Sequence, residues 1–156
     1  MNQSGVGPRT DRPSPVVLRL LPHVLPPPAK VLVIGVGSGH EAHALDARGY
    51  DVTVVDDSAA SGANNAGGGV LAAPFVASDF GARFDLVCEH GALDLMDRDA
   101  WALAASRALR SGGQLFGSVG GNTSALLHTL APHFEVTRCQ PGGFGDGRLE
   151  LVAVRR

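Results

Sequence analysis

Cysteine is scarce: only Cys88 and Cys139 occur in the 156 residues, and both fall in apolar stretches that read as strands. Buried, reduced thiols are expected there rather than a disulfide. Lysine is scarcer still, with Lys30 the single one, so nearly all basic residues are arginine, the usage of a GC-rich bacterial genome. A basic surplus is missing too, because 13 Lys and Arg stand against 15 Asp and Glu, a formal net charge of -2. Nucleic acid is therefore not expected as a partner, since phosphate backbones select positive charge. No apolar run exceeds strand length, and the segment Met1 to Pro15 is polar and proline-rich. Neither a membrane helix nor a secretory signal is expected, which places the protein in the cytoplasm.

What is present suffices for one core: 44% of the residues are apolar, and the length suits a single α/β domain over 14–156 behind a disordered tail, 1–13. From Ser14 the positions Val16, Val17, Leu18, Leu20, Leu21 and Val24 suit a short amphipathic helix stopped by Pro26-Pro27-Pro28. Lys30 to Ile34 reads as a first strand, Gly39 to Arg48 as a helix ended by Gly49, and Asp51 to Val55 as a second strand. A crossover helix is due next, but Ser58 to Ala73 has too many glycines and asparagines to hold one. Further strands are expected near Phe75 to Ala77, at Phe84 to Glu89, at Gln114 to Val119 after a Ser111-Gly112-Gly113 turn, and at Phe134 to Cys139 and Arg148 to Arg155. Helices are expected over Asp97 to Leu109, capped by Asp97, and over Ser124 to Leu130, with Trp101 and Phe134 in the core. That order predicts a doubly wound, mainly parallel, seven-stranded Rossmann-like sheet closed by a C-terminal antiparallel hairpin.

Ligands of such sheets bind beyond the carboxyl ends of the strands, which gathers Gly35 to Gly39, Asp56, Ser78 to Phe80 and Glu89 to Leu93 at one crevice. Glycines let a backbone approach a ligand closely, and Asp56, 21 positions after Gly35, can accept two hydrogen bonds from a vicinal diol. Asp79 is placed to accept from an exocyclic amine such as that of adenine, with Phe80 beside the ring. A dinucleotide fingerprint needs glycine at its first, third and sixth positions, yet the sixth position here is His40 and the third glycine falls at the fifth, Gly39.

Gly-x-Gly-x-Gly followed by an acidic end of the second strand resembles motif I of class I S-adenosylmethionine-dependent methyltransferases. The Leu109-Arg110-Ser111-Gly112-Gly113-Gln114-Leu115 turn and the closing hairpin resemble that class as well. More narrowly, Gly37-Ser38-Gly39-His40-Glu41, the stretch Ala47 to Thr53 and Phe84-Asp85-Leu86-Val87-Cys88-Glu89-His90-Gly91-Ala92-Leu93 look like the thiopurine S-methyltransferase branch. The resemblance implies S-adenosylmethionine as cofactor and a small-molecule methyl acceptor. The cofactor-binding candidates are Gly35, Val36, Gly37, Gly39, Asp56, Asp57, Asp79, Phe80 and Glu89. It implies that Glu89 matches the branch's acid, and that His90 stands where the branch has arginine, near the acceptor. His90 is the candidate catalytic base for an oxygen or nitrogen acceptor, whereas a sulfur acceptor needs none. No metal is expected, because His40 and His43 at the start of a helix read as solvent-facing polar groups.

Relatives in that branch close a helical segment and a long loop over the substrate; here the corresponding loop is only Gly120-Gly121-Asn122-Thr123. An open acceptor site, or one walled by the second subunit of a homodimer, follows. A competing expectation is a non-catalytic, cofactor-binding or regulatory partner with a methyltransferase fold; a dinucleotide-dependent oxidoreductase is the third, opposed by His40.

Overall fold

The computed structural model describes residues 15–34, 40–55, 70–71, 75, 80–90, 97–142 and 148–156. Its organising element is a strand buried on both faces. β1 (Lys30–Ile34) alternates Val31 and Val33 toward one core with Leu32 and Ile34 toward another, so its run of apolar residues leaves no solvent-facing side after Lys30. α2 (His40–Ala47) follows, and Gly49 ends it at φ +95°, which lets the Tyr50 amide donate to the Leu45 carbonyl at 3.2 Å. β2 (Asp51–Val55) then pairs parallel to β1, from Lys30 opposite Asp51 to Ile34 opposite Val55.

The other side of β1 carries β4 (Phe84–His90), parallel, with Ile34 opposite Glu89. β5 (Leu109–Val119) lies parallel outside β4, and the hairpin of β6 (Phe134–Pro141) and β7 (Leu149–Arg155) adds antiparallel. Six strands of five residues or more are thus joined at one edge by the two-residue β3 (Val70–Leu71), in the order β3-β2-β1-β4-β5-β7-β6. α3 (Arg98–Ala108) and α4 (Thr123–Leu130) bury Trp101, Ala105, Leu126 and Leu130 on the Leu32, Val87, Leu115 face. α1 (Pro15–Leu20) and α2 bury Val17, Leu20, Ala42 and Leu45 on the Val31, Leu86, Phe116 face. Trp101 and Phe134 are core residues, as expected.

The chain departs from expectation at four places. Among the described residues the strand beside β2 is Val70–Leu71; of the expected segment Phe75 to Ala77 only Phe75 is described, and it is not in a strand. The β-branched and aliphatic pair closing the glycine run supplies the ladder, while the Phe75 ring stacks on Phe80 at 6.1 Å inside the core. β5 begins at Leu109, not Gln114: Leu109 pairs with Phe84, Gln114 with Leu86, and the intervening residues form an irregularity with Gly112 at φ +80°. The first helix stops at Leu20 and continues as a 3-10 turn over Leu21–His23, because Pro22 has no amide to donate. Cys139 is partly exposed, whereas Cys88 is buried; both are free thiols.

The amino edge of the sheet is fastened by Asp85, whose Oδ2 accepts from the Lys30 amide at 2.9 Å and whose Oδ1 accepts from Arg110 Nε at 2.5 Å. The Lys30 amide first, and Arg110 after it, hold this carboxyl below its ordinary value of 3.8 against the opposing effect of desolvation. A depressed folded-state value means that the stabilisation is present above pH 3.8 and lost as pH falls below it. Asp85→Asn is therefore expected to cost under about 1 kcal/mol at pH 7, since the pair is partly exposed, and the cost should vanish in acid. Urea unfolding at pH 7 and pH 3 checks this; an equal cost at both would overturn it.

Candidate active site

Parallel pairing brings Ile34, Val55, His90 and Val119, the last residues of β1, β2, β4 and β5, to one edge of the sheet. The connections leaving those strands start there, so this edge is the candidate ligand site. Of the residues singled out from sequence, Gly35, Val36, Gly37, Gly39, Asp56, Asp57 and Asp79 lie outside the described residues, as does the side chain of His90. The His90 backbone pairs with Ser118 in β5. Phe80 is buried, flanked by Phe75 and, edge-on at 6.0 Å, by Phe84.

Glu89 has no exposed surface. Its Oε1 accepts from the Trp101 indole at 3.1 Å, which ties the end of β4 to the second turn of α3. The β5 backbone presses on the same residue, for a Cβ placed on Gly117 would stand 1.8 Å from the Glu89 carbonyl oxygen. Glu89 is thus held from two sides, beside the last residue of β1. Burial, reinforced by the charges of Glu41 and Glu89, pushes the neighbouring Cys88 thiol well above its ordinary value. Cys88 stays a neutral thiol and supplies no thiolate nucleophile.

Two arginine sites were not singled out from sequence. On the α1 face, fully buried Glu150 receives Arg138 Nε and Nη2 on Oε1 at 3.1 and 2.9 Å, and Arg19 Nη2 lies 2.6 Å from Oε2. The Arg19 contact lacks hydrogen-bond alignment at Oε2 and is a charge pairing. Next to it in register, Ser118 receives Arg148 on both its hydroxyl and its carbonyl at 2.7 Å. The sequence signal was a lone glutamate inside the apolar run Leu149 to Val154. On the α3 face, Arg98 Nη2 donates to the Gly120 carbonyl at 3.3 Å, just past the end of β5. Its signal was a cation directly after the N-cap Asp97, at the positive end of the helix dipole.

A cavity of about 210 Å³ lies at the opposite, amino edge, lined by Lys30, Asp51, Thr53, Arg83 and Phe84. Strand polarity argues against it as the ligand site. Among the described residues no group of three or more His, Cys, Asp or Glu side chains could hold a metal ion. Among them, too, no helix is long and apolar enough to cross a membrane.

No protein-family model and no curated protein matches the sequence. Solved structures do match. A TehB-like S-adenosylmethionine-dependent methyltransferase from Corynebacterium glutamicum superposes with a TM-score of 0.73 at 20% identity, over 90% of this chain and 88% of its own. The 1,6-didemethyltoxoflavin N1-methyltransferase of Burkholderia thailandensis, solved with S-adenosylhomocysteine, gives 0.74 at 24% over 90% and 76%. The N-methyltransferase NodS of Bradyrhizobium japonicum, also with S-adenosylhomocysteine, gives 0.70 at 16% over 89% and 83%. The mixed sheet with its closing antiparallel hairpin is therefore the class I methyltransferase fold.

Proposed function

We propose that this chain is a cytoplasmic bacterial methyltransferase that uses S-adenosylmethionine to methylate a small molecule, sulfur being its preferred acceptor and oxygen or nitrogen next. The single observation supporting the reading is the strand order, in which β1, β2 and β4 run parallel and end at one edge with Glu89 buried there, while in the sequence the glycine segment follows β1 and the acids follow β2. The framework is the doubly wound, seven-stranded Rossmann-like sheet anticipated from sequence, and the solved methyltransferases of this fold support it.

The residues suit the cofactor. Only five residues, 35–39, separate Ile34 from His40, and three of them are glycine, so backbone can lie against a ligand at the mouth of α2. Gly35, Val36, Gly37 and Gly39 would hold the methionine portion, Asp56 and Asp57 the ribose, and Asp79 with Phe80 the adenine. Glu89 supports the floor of the crevice through its clamp on Trp101. Bound S-adenosylmethionine supplies an electrophilic methyl group on a sulfonium. The chain's own part is to align an acceptor with that methyl and to keep water out, which lowers the barrier without a covalent protein intermediate. His90, at the end of β4, is the residue to take a proton from an oxygen or nitrogen acceptor; a thiolate acceptor arrives deprotonated.

Calorimetric titration with S-adenosylhomocysteine tests the reading. The wild type is expected to bind, and Asp56→Ala to weaken binding at least tenfold, because hydrogen bonds to a charged acceptor contribute about 1.5–3 kcal/mol each. No binding by the wild type, or unchanged binding in Asp56→Ala, would overturn it.

A further inference from the structure

The cavity of about 210 Å³ at the amino edge opens where β1, β2 and β4 begin. Strand polarity keeps a nucleoside ligand at the other edge, one length of β1 or about 13 Å away, and leaves this cavity to a second occupant. Lys30, Asp51 and Thr53 alternate with Val31 and Val52, so all three share the face of Leu32 and Val55. Charge is ordered across that face. Asp51 and Thr53 of β2 stand on one side of the cavity, Lys30 of β1 in the middle, and Arg83 and Phe84 at the start of β4 on the other.

These charges do not satisfy one another. Lys30 stands opposite Asp51 in register, yet among the described residues neither Lys30, Asp51 nor Arg83 forms an ion pair. The Lys30 ammonium acts on Asp85 only as the smallest influence on that carboxyl, which is already taken by the Lys30 amide and Arg110. Arg83 rests its guanidinium 5.3 Å from the centroid of the Phe84 ring, which covers one face of the ion and leaves its N–H edge open. The turn that presents Arg83 is strained, for Gly81 stands at φ +71° and Ala82, which carries a Cβ, at φ +55°. The Ala82 amide is held by the Arg107 carbonyl at 3.0 Å. A left-handed alanine persists only where its surroundings fix it, so the backbone that carries Arg83 is set rather than loose.

We infer that this cavity is a second ligand site, which takes a small amino acid in its zwitterionic form. The carboxylate lies between Lys30 and Arg83, the ammonium meets Asp51, and the Thr53 hydroxyl can bond to either. A lone anion would bring like charge against Asp51, and a lone amine would meet two cations; a ligand with both charges answers all three side chains. The size agrees, since 210 Å³ exceeds the ~30 Å³ share of one water and falls short of the roughly 300–1,000 Å³ of drug-sized pockets. The site does not depend on the methyltransferase reading.

The test is an NMR titration of the full chain with L-alanine, following the Thr53 and Phe84 amides. Saturable shifts are expected, and propionate and ethylamine, which each keep one of the two charges, should bind at least tenfold more weakly. Arg83→Gln should weaken both L-alanine and propionate at least fivefold. Asp51→Asn should weaken L-alanine to the same degree but leave propionate no weaker, a split that a merely damaged fold would not produce. Absence of saturable shifts in the wild type, propionate binding as tight as L-alanine, or an equal loss of both in Asp51→Asn would overturn the inference. So would displacement of L-alanine by stoichiometric S-adenosylhomocysteine, which would assign the shifts to the cofactor edge, whereas failure of S-adenosylhomocysteine to bind at all counts only against the methyltransferase reading.

Discussion

Gly117→Ala is expected to lower stability by at least about 3 kcal/mol, the sum of overpacking a filled site and straining the backbone. Three neighbours decide the size: the new Cβ would meet the carbonyl oxygen, carbonyl carbon and amide nitrogen of Glu89 at 1.8, 2.7 and 3.0 Å. All three are backbone atoms, and they belong to the residue paired with Gly117 in the β4–β5 ladder. Relief cannot come from a rotamer change, so the ladder must open at the point where Trp101 also anchors Glu89. Against a typical total of about 5–15 kcal/mol, such a loss approaches unfolding. Gly112→Ala is the control. Gly112 also has positive φ, +80°, but its Cβ would meet nothing nearer than Arg110 Nη1 at 3.6 Å. It should lose only about 1–2 kcal/mol. Urea midpoints for the two variants settle the comparison, and a smaller loss for Gly117→Ala than for Gly112→Ala would contradict the packing account.

The contrast between these glycines explains what could be read from sequence. Strand bounds such as Lys30–Ile34 and Asp51–Val55 were legible because a strand covered on both faces must be apolar throughout, and Gly49 and Asp97 punctuate helices by local rules. Gly117 carried no such signal. Its need arises from the approach of a strand more than twenty residues away in the chain, and nothing near Gly117 announces it. The Val70–Leu71 pairing escaped for a related reason: a two-residue ladder has no periodicity to detect. Glu89 was legible as an acid at a strand end, while its bond to Trp101 depends on how α3 packs across the sheet. Arg98 and Glu150 were not singled out from sequence, because only the fold places the first beside Gly121 and buries the second.

Glu150 supports the second large prediction, because the three charges of its network, its own included, are unequally exposed. Its side chain is 0% exposed, against 28% for Arg138 and 48% for Arg19. Removing the glutamate leaves two arginines that can turn toward water, whereas removing the arginines strands a carboxylate that cannot. The double variant Arg19→Met, Arg138→Met is therefore expected to lose about 3–5 kcal/mol, the usual cost of leaving a buried charge uncompensated. Adding Glu150→Leu should restore most of that loss, since an apolar side chain of similar size lies on the face of β7 that carries buried Val152 and demands no partner. The sign of the third substitution is the decisive measurement. If the network stabilises only by satisfying its own buried charge, the triple variant will have the higher urea midpoint; if the directed contacts from α1 and β6 are what hold the hairpin against the helix, it will be no more stable than the double. The burial asymmetry favours the first outcome, and an equal or lower midpoint for the triple variant would refute it.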